Sequence, residues 1–239
     1  MPRSIPDVPA PPGIAAFFQT WTLYQTIVQN NCMEHREIGT ALRSIFESLE
    51  PGFTVLDLGC GDSSMAIKAL EGLHVSSYTG VDLTAPALDI ARANYTGSYP
   101  ATWVHANMVD FIAACDQQFD VILTSFAMHH LPADTKQIWL AEIATHLTPR
   151  GQLVLVDTCC PAGMSRDETI QLYLDDIAHW PLTDLDKDAI AQHMWSSDFP
   201  ESDAFMEAAL GPAGLTQTTI YKHPRGLQVG YVCRPVATA

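Results

Sequence analysis

The stretch FTVLDLGCGDSS, residues 53–64, constrains the fold of this chain more than any other. Residues 55–58 form a short apolar run flanked by turn-forming residues, which is typical of a strand buried on both faces. Gly59 and Gly61 then allow a sharp turn, and a helical pattern begins directly after them. Such a turn is expected to present free backbone N–H groups beside a crevice, as in nucleotide-binding sites.

Two acidic residues distinguish this loop from a dinucleotide-binding one. The dinucleotide pattern G-x-G-x-x-G requires a third glycine, at which this chain has Ser64. Asp57 lies two residues before the first glycine, and a carboxylate there suits a ligand with an amine better than one with a pyrophosphate. The next strand pattern, residues 77–81, ends at Asp82, whose carboxylate can accept both hydroxyls of a ribose. The two acids and the glycine loop together indicate a nucleoside site.

Five motifs of the chain are similar in order and spacing to those of the class I S-adenosylmethionine (SAM)-dependent methyltransferases. They are VLDLGCG (55–61), GVDLTAPAL (80–88), WVHANMVDF (103–111), FDVILTSFAMHHL (119–131) and GQLVLVD (151–157). The resemblance covers residues 33–235. It implies a Rossmann-like α/β fold, a doubly wound seven-stranded sheet whose last strand is antiparallel, with N-terminal helices and a helical insertion after the fifth strand.

The resemblance also implies SAM as cofactor and S-adenosylhomocysteine (SAH) as product. At the position of Asn107 the family commonly has an acid that holds the adenine amino group, and Asn107 keeps a carbonyl acceptor for the same donor. Met108 is a candidate to lie against the adenine ring, the alternative being ordinary core packing. The expected SAM-binding residues are Asp57, Gly59, Cys60, Gly61, Asp82, Leu83, Asn107, Met108, Ser125 and Phe126.

A pair of histidines, His129 and His130, follows the fourth expected strand, where the methyl group and its acceptor would meet. An imidazole within hydrogen-bond reach of the acceptor proton would act as a general base. The alternative is a scaffold role, which the resemblance implies because relatives of many specificities have paired histidines at this point. Methyl transfer itself needs mainly a positioned acceptor and the exclusion of water. Because adjacent residues point in different directions, the pair is not expected to bind a metal.

Helical patterns before the first strand and after the fifth are expected to cover the substrate. Residues 14–49 predict two helices that the resemblance places over SAM as a lid, and residues 163–200 predict a two-helix insertion over the substrate site. On a continuous helix, Tyr24, Asn31 and His35 would share one face. The alternative is that the aromatic side chains pack on the core and that His35 is solvated. The residues expected to face substrate are Trp21, Tyr24, His35, Arg166 and Tyr173.

Composition excludes several function classes. The 239 residues predict one domain over residues 14–239 after a flexible arm, residues 1–13. With 12 basic and 27 acidic residues the net charge is −15, which disfavours nucleic acid partners. No apolar run has the length of a membrane span or the pattern of a signal peptide, so a cytoplasmic protein is expected, with a homodimer as a further expectation.

The six cysteines contain one vicinal pair, Cys159 and Cys160, just past the fifth strand pattern. Reduced and buried side chains are expected for a cytosolic protein. The alternative for the pair is a dithiol that meets a soft metal or metalloid.

Three functions fit these patterns. The leading prediction is a SAM-dependent methyltransferase that acts on an O, N or S atom of a small-molecule acceptor. A SAM-binding module without catalysis is the alternative, motivated by the lack of an obvious base. A nicotinamide-dependent oxidoreductase is favoured only by the glycine loop, and Asp57 and Ser64 argue against it.

Overall fold

The computed structural model describes residues 21–236, with side chains from residue 23 onward. The expected arm, residues 1–13, and the start of the expected helical segment therefore lie outside the described residues. The strands are β1 (Phe53–Leu58), β2 (Val75–Asp82), β3 (Ala101–His105), β4 (Phe119–Ser125), β5 (Leu147–Thr158), β6 (Leu215–Lys222) and β7 (Gln228–Pro235). The helices are α1 (Trp21–Gln29), α2 (His35–Glu47), α3 (Ser64–Leu70), α4 (Ala85–Asn94), α5 (Met108–Ala114), α6 (Ala133–Thr145), α7 (Arg166–Ile177), α8 (Asp184–Ser197) and α9 (Asp203–Leu210).

The strands form one sheet in the order β3-β2-β1-β4-β5-β7-β6. The first five in this order are parallel, and β7 is antiparallel to both of its neighbours. The predicted seven-stranded sheet with an antiparallel last strand is confirmed. After β1 the chain adds β2 and β3 toward one edge of the sheet, and after β4 it adds β5 toward the other edge. The carboxyl ends of the adjacent strands β1 and β4 therefore flank the crevice in which such sheets bind ligands.

Alternate side chains of the central strands enter two cores, one on each face of the sheet. Leu56 and Leu58 pack with α5, α6 and α9, while Val55 packs with α2 and α3 on the opposite face. Period-2 alternation of apolar residues on both faces explains why the strands read as continuous apolar runs. Helices on both faces thus fix the strand ends at which the site lies.

A third, smaller core joins α1 to the two-helix insertion α7 and α8. It contains Leu23 and Ile27 of α1, Ile170 and Ile177 of α7, and Met194 of α8. This packing holds the N-terminal helix against the insertion, on the side of the sheet edge where the strands end. Among residues 21–236, no helix combines the length and the apolar character that a bilayer crossing requires.

The N-terminal helical segment is broken, as its sequence predicts, between α1 and α2. Asn31 and Glu34 adopt left-handed backbone angles, with φ of 56° and 57°. The Asn31 side chain accepts the backbone N–H of Arg36 at 2.9 Å and donates to Glu37 at 2.8 Å. Asn31 is therefore a turn residue, and the expectation that it shares a helical face with Tyr24 and His35 is wrong.

The insertion leaves and rejoins the sheet at one place. Cys159 forms an isolated parallel bridge with Glu201, and the backbone N–H of Cys160 donates to the Glu201 carbonyl at 3.0 Å. The two ends of the segment are thus held side by side next to the last residues of β5.

Candidate active site

Gly59 brings the loop after β1 against the loop after β4. Its φ is +77°, and a Cβ there would lie 2.3 Å from the Cβ of Ala127. Only glycine combines this backbone angle with such a close approach. The two strand ends therefore meet with no side chain between them.

The backbone N–H groups of this loop are used within the protein. Those of Gly59 and Cys60 donate to the carbonyl of Val81 at 2.8 and 3.0 Å. That of Gly61 donates to Asp82 at 2.8 Å. The expectation that the glycine turn presents free N–H groups is wrong for these residues, because the carbonyl of β2 and an aspartate satisfy them. These donors are consequently not directed at a ligand phosphate.

Asp57 and Asp82 stand at the ends of β1 and β2 as expected. The Asp57 side chain is buried, accepts a 2.6 Å hydrogen bond from the Tyr78 hydroxyl, and has a pKa that burial raises to about 7. Asp82 accepts the N–H of Gly61 through one oxygen and that of Thr84, at 2.7 Å, through the other. Since each carboxylate oxygen has a second lone pair, Asp82 retains acceptor capacity toward a ligand.

Asn107 has a role at the end of β3 that sequence reasoning missed. Its side-chain oxygen caps α5 by accepting the N–H of Val109 at 2.8 Å. Met108 follows it, with its sulfur 3.7 Å from the position of a Cβ on Gly59. Asn107 and Met108 thus form one wall beside the glycine loop.

One cavity connects these strand ends to the insertion. The residues from the strand ends and the loops after them are Asp57, Gly59, Cys60, Gly61, Asp62, Asp82, Leu83, Asn107, Met108, Ser125, Phe126, His129, His130 and Thr158. The side that α1, α7 and α8 cover is lined by Tyr24, Ile27, Met33, Tyr173, Ile177, Trp180, Ile190, His193 and Met194. Within residues 21–236 the lining contains four aspartates, the fourth being Asp198, and neither lysine nor arginine.

Three histidines surround one aspartate at the covered end of the cavity. The Oδ1 atom of Asp198 lies 3.3 Å from Nδ1 of His130, 3.3 Å from Nε2 of His193 and 3.8 Å from Nε2 of His129. On its other side, Nδ1 of His129 lies 2.5 Å from Oδ1 of Asp157. The ring centroids of His129 and His130 are only 4.0 Å apart. The expectation that these adjacent histidines point in different directions is therefore wrong.

Charges in this cluster oppose the effect of burial. Burial lowers the pKa of His129, but Asp157 and Asp198 outweigh it and raise that pKa above its ordinary value. Burial and the neighbouring His129 lower the pKa of His130 to about 4. Burial raises the pKa of Asp198, but the imidazoles of His129, His130 and His193 outweigh it and lower that pKa. An ionised carboxylate among imidazoles is thereby favoured.

The N-terminal substrate candidates lie at the cavity, as far as they are described. The rings of Tyr24 and His35 are 6.3 Å apart, and His35 also lies 5.4 Å from Phe126. Neither ring nitrogen of the buried His35 has a hydrogen-bond partner among residues 23–236, and burial lowers the pKa of His35 to about 4. The side chain of Trp21 lies outside the described residues.

The two substrate candidates of the insertion have structural roles instead. Arg166 donates to the backbone carbonyls of Met194, Trp195 and Asp198 at the end of α8, and it does not line the cavity. The ring of Tyr173 lines the cavity, but its hydroxyl donates to the carbonyl of Leu227. The expectation that Arg166 clamps a substrate and that the Tyr173 hydroxyl orients one is wrong, because backbone carbonyls occupy both groups.

The vicinal cysteines are buried beside the insertion rather than in the cavity lining. The Sγ atom of Cys160 lies 3.1 Å from the Thr169 hydroxyl, and Cys159 belongs to the core that contains α6. These surroundings fit the expectation that both cysteines are buried packing residues rather than a dithiol that meets a metal.

The polar cavity residues that sequence reasoning missed include Thr158, His193 and Asp198. The hydroxyls of Thr158 and of the expected Ser125 are buried without a hydrogen-bond partner in the part of the chain that the structure describes. His193 and Asp198 belong to no motif, and only the folding of the insertion brings them to His129 and His130. The position of Thr158, directly after Asp157 at a parallel strand end, was the one signal available.

The comparisons with known proteins agree with this geometry. Residues 55–151 match the model of a methyltransferase domain. A 2-phytyl-1,4-naphtoquinone methyltransferase of Nostoc sp. is 29% identical over 185 residues, which are 74% of this chain and 79% of that protein. The predicted resemblance to the class I SAM-dependent methyltransferases is confirmed.

Solved structures show that this methyltransferase shares its fold with more distant proteins. The magnesium protoporphyrin IX methyltransferase of Synechocystis PCC 6803, solved with bound SAH, is 13% identical with a TM-score of 0.62, over 94% of this chain and 96% of that one. A cyclopropane synthase of Mycobacterium tuberculosis is 20% identical with a TM-score of 0.56, over 77% of this chain. The methyltransferase spans 62% of that synthase, which is less than two thirds of its length.

Proposed function

We propose that the protein transfers the methyl group of SAM to an O, N or S atom of a small, largely apolar acceptor. The observation that carries this proposal is one cavity whose lining, over the described residues, contains aspartates but no lysine or arginine at the strand ends and is mostly apolar where α1, α7 and α8 cover it. SAM has a net positive charge at neutral pH, so such a lining attracts it and disfavours phosphate-bearing nucleotides.

The polar groups of the cavity fit SAM. Among the described residues, the buried Asp57 carboxylate accepts a hydrogen bond from the Tyr78 hydroxyl, and a ligand ammonium would compensate its negative charge. The hydroxyls of Ser125 and Thr158 are buried without a partner among the described residues, which is costly unless a ligand or water satisfies them. In the proposed complex these three residues bind the amino acid part of SAM.

We assign the nucleoside part of SAM to the ends of β2 and β3. Asp82 would accept the ribose hydroxyls through its remaining lone pairs, while Leu83 and Met108 would lie against the adenine. Asn107 retains one carbonyl lone pair and its amide group for the adenine edge. When bound, SAM supplies a methyl group on a cationic sulfur, and the protein's task is to orient the acceptor and exclude water.

The covered end of the cavity would receive the acceptor. Its apolar side chains, Ile27, Ile177, Trp180, Ile190 and Met194, favour an aromatic or aliphatic compound. The similar proteins described above include methyltransferases of a naphthoquinone and of a porphyrin, which supports an apolar acceptor. We propose that α1 and α2 serve as a lid through Tyr24 and His35. We propose that His129 and His130 contact the reacting group of the acceptor together with Asp198, because both imidazoles face the Asp198 carboxylate.

A cytoplasmic location, a homodimer and the absence of nucleic acid partners stay predictions of the sequence. The net charge of −15 supports the last of them.

Calorimetric titration with SAH tests the cofactor site. We expect saturable binding by the wild type that falls about 5- to 150-fold in Asp82→Ala, because ribose hydroxyls then lose a buried acceptor. Asp89→Ala removes an exposed aspartate of α4 that pairs with Arg92, and it should bind SAH as the wild type does. Equal SAH affinity in Asp82→Ala and Asp89→Ala would contradict the proposed ribose contact. No SAH binding by folded wild-type protein would overturn the proposed function.

Transfer of a deuterated methyl group from labelled SAM tests the acceptor class. Apolar phenols, quinols, amines and thiols should gain the label in mass spectra, whereas bulk RNA and denatured protein should not. Labelling of RNA or protein alone would contradict a small-molecule acceptor.

A further inference from the structure

The histidine cluster, defined as His129, His130, His193 and Asp198, does not have the distances of an ordinary hydrogen-bond network. Charge-assisted N–H···O bonds are about 2.7–2.9 Å long. The three imidazole nitrogens lie 3.3, 3.3 and 3.8 Å from the Asp198 oxygen. That oxygen is buried, and no donor among the described residues reaches it with good hydrogen-bond geometry.

The two distances of 3.3 Å agree with the spacing of ligand atoms around a metal ion, whereas the 3.8 Å distance of His129 is longer than that spacing. Ligands placed tetrahedrally at about 2.0–2.1 Å from zinc are separated from one another by about 3.3–3.4 Å. His129, His130 and Asp198 each offer a ligand atom, and these atoms lie within 4.8 Å of one another. Imidazole and carboxylate ligands together suit first-row transition metals rather than Mg²⁺ or Ca²⁺.

A second carboxylate completes the arrangement. Asp157 lies 2.5 Å from Nδ1 of His129 and accepts the backbone N–H of the same residue at 2.9 Å. A metal-binding histidine typically donates its other ring N–H to a carboxylate in this way, which orients the ring and fixes its tautomer. His129 thus presents Nε2 toward Asp198. The two buried carboxylates also supply a charge of −2 beside the imidazoles, which complements a divalent cation.

We propose that His129, His130 and Asp198 bind a divalent transition metal ion of the Zn²⁺ type, with His193 next to Asp198 as a fourth side chain. Two imidazoles and one carboxylate form the ligand set of several catalytic zinc and non-haem iron sites, which leave a coordination position open. All four side chains line the cavity, so the open position would face the space for the acceptor.

The use of this ion rests on the proposed function. A divalent cation lowers the pKa of a bound hydroxyl or thiol, so the acceptor would release its proton to solvent and keep the electron pair that forms the new bond to the methyl carbon. The electron pair of the S–CH₃ bond would remain on the sulfur of SAH. The ion therefore predicts acceptors with a coordinating oxygen or sulfur.

Titration of metal-stripped, untagged protein with Co²⁺ tests the site directly. Cobalt replaces zinc in such sites, and its visible absorption reports the coordination geometry. We expect one Co²⁺ per chain, with an intense four- or five-coordinate spectrum that added Zn²⁺ abolishes. Asp198→Asn and His130→Gln should each weaken Co²⁺ binding at least tenfold, and Asp157→Asn about 10- to 100-fold.

His179→Gln is the matched control, because His179 is an exposed histidine directly after α7. It should leave the cobalt spectrum and affinity unchanged. SAH titration of every variant serves as the measure of folding and separates the two proposals. A protein that binds SAH but takes up no Co²⁺, or binds it equally well as Asp198→Asn, His130→Gln and His179→Gln, would overturn the metal site and leave the cofactor site standing. Specific Co²⁺ binding without SAH binding would overturn the cofactor site and leave the metal site standing.

Discussion

The two ends of the cavity are built by different means. At the cofactor end, most contacts involve the backbone: Gly59 allows close contact with Ala127, and Asp82 accepts hydrogen bonds from two backbone N–H groups. At the covered end, side chains from distant segments meet: His129, in the turn after β4, faces Asp198, which follows α8. A site built from backbone tolerates changes of side chains but not of chain geometry, and a site built from side chains has the opposite sensitivity.

The largest expected effect concerns the backbone at the cofactor end. Gly59→Ala places a Cβ at positive φ and 2.3 Å from the Cβ of Ala127, and it should lower the free energy of unfolding by about 2–5 kcal/mol. A Cβ added at Gly39 in α2 would have no neighbouring atom within 4 Å, so Gly39→Ala should raise that free energy by about 0.5–1 kcal/mol. Urea unfolding of both variants measures this, and equal stabilities would refute a backbone-built cofactor end.

Arg166→Ala probes whether the covered end is independent of the cofactor end. The variant loses three hydrogen bonds to carbonyls at the end of α8, so its free energy of unfolding should fall by about 1–3 kcal/mol. SAH affinity should change less than about threefold, because the contacts lie outside the cofactor end. Arg225→Ala, which breaks an exposed pair with Asp176, should lower stability by less than about 1 kcal/mol. A large loss of SAH binding in Arg166→Ala would show that the two ends are coupled.

The raised pKa of Asp57 predicts a pH dependence located at the cofactor end. Its folded-state pKa of about 7 exceeds the ordinary value of 3.8, so the stability contribution is complete at acid pH and is lost as pH rises toward about 7. Ligand-free wild type should therefore lose stability relative to Asp57→Asn between those pH values, by on the order of 1–3 kcal/mol. Urea unfolding of both proteins across this range measures the difference, and parallel curves would disprove it.

Tyr173→Phe should have the smallest effect. Its hydroxyl donates to the Leu227 carbonyl, so the free energy of unfolding should fall by about 0.5–1.5 kcal/mol, with SAH affinity unchanged. Thermal unfolding and calorimetry together check this. Unchanged stability combined with loss of methyl transfer would instead place the hydroxyl at the acceptor.

The sequence predicted the sheet and the positions of Asp57 and Asp82, because these features follow from local patterns that a parallel sheet brings to one edge. It failed where the partner is a backbone group or a distant segment. The Val81 carbonyl that satisfies the glycine loop has no side-chain signature. Arg166 reads as a clamp for an anion, whereas its partners are carbonyls about 30 residues away. His193 and Asp198 reach the site only through the packing of α8.

The bridge between Cys159 and Glu201 has a consequence for protein engineering. Because the two ends of the intervening segment are held together, residues 161–200 form a unit that enters and leaves the fold at one point. Another helical pair with the same end-to-end spacing could be grafted there without altering the order of the seven strands. Such a chimera would retain His129 and His130, which follow β4. The donor segment would decide whether counterparts of His193 and Asp198 are present.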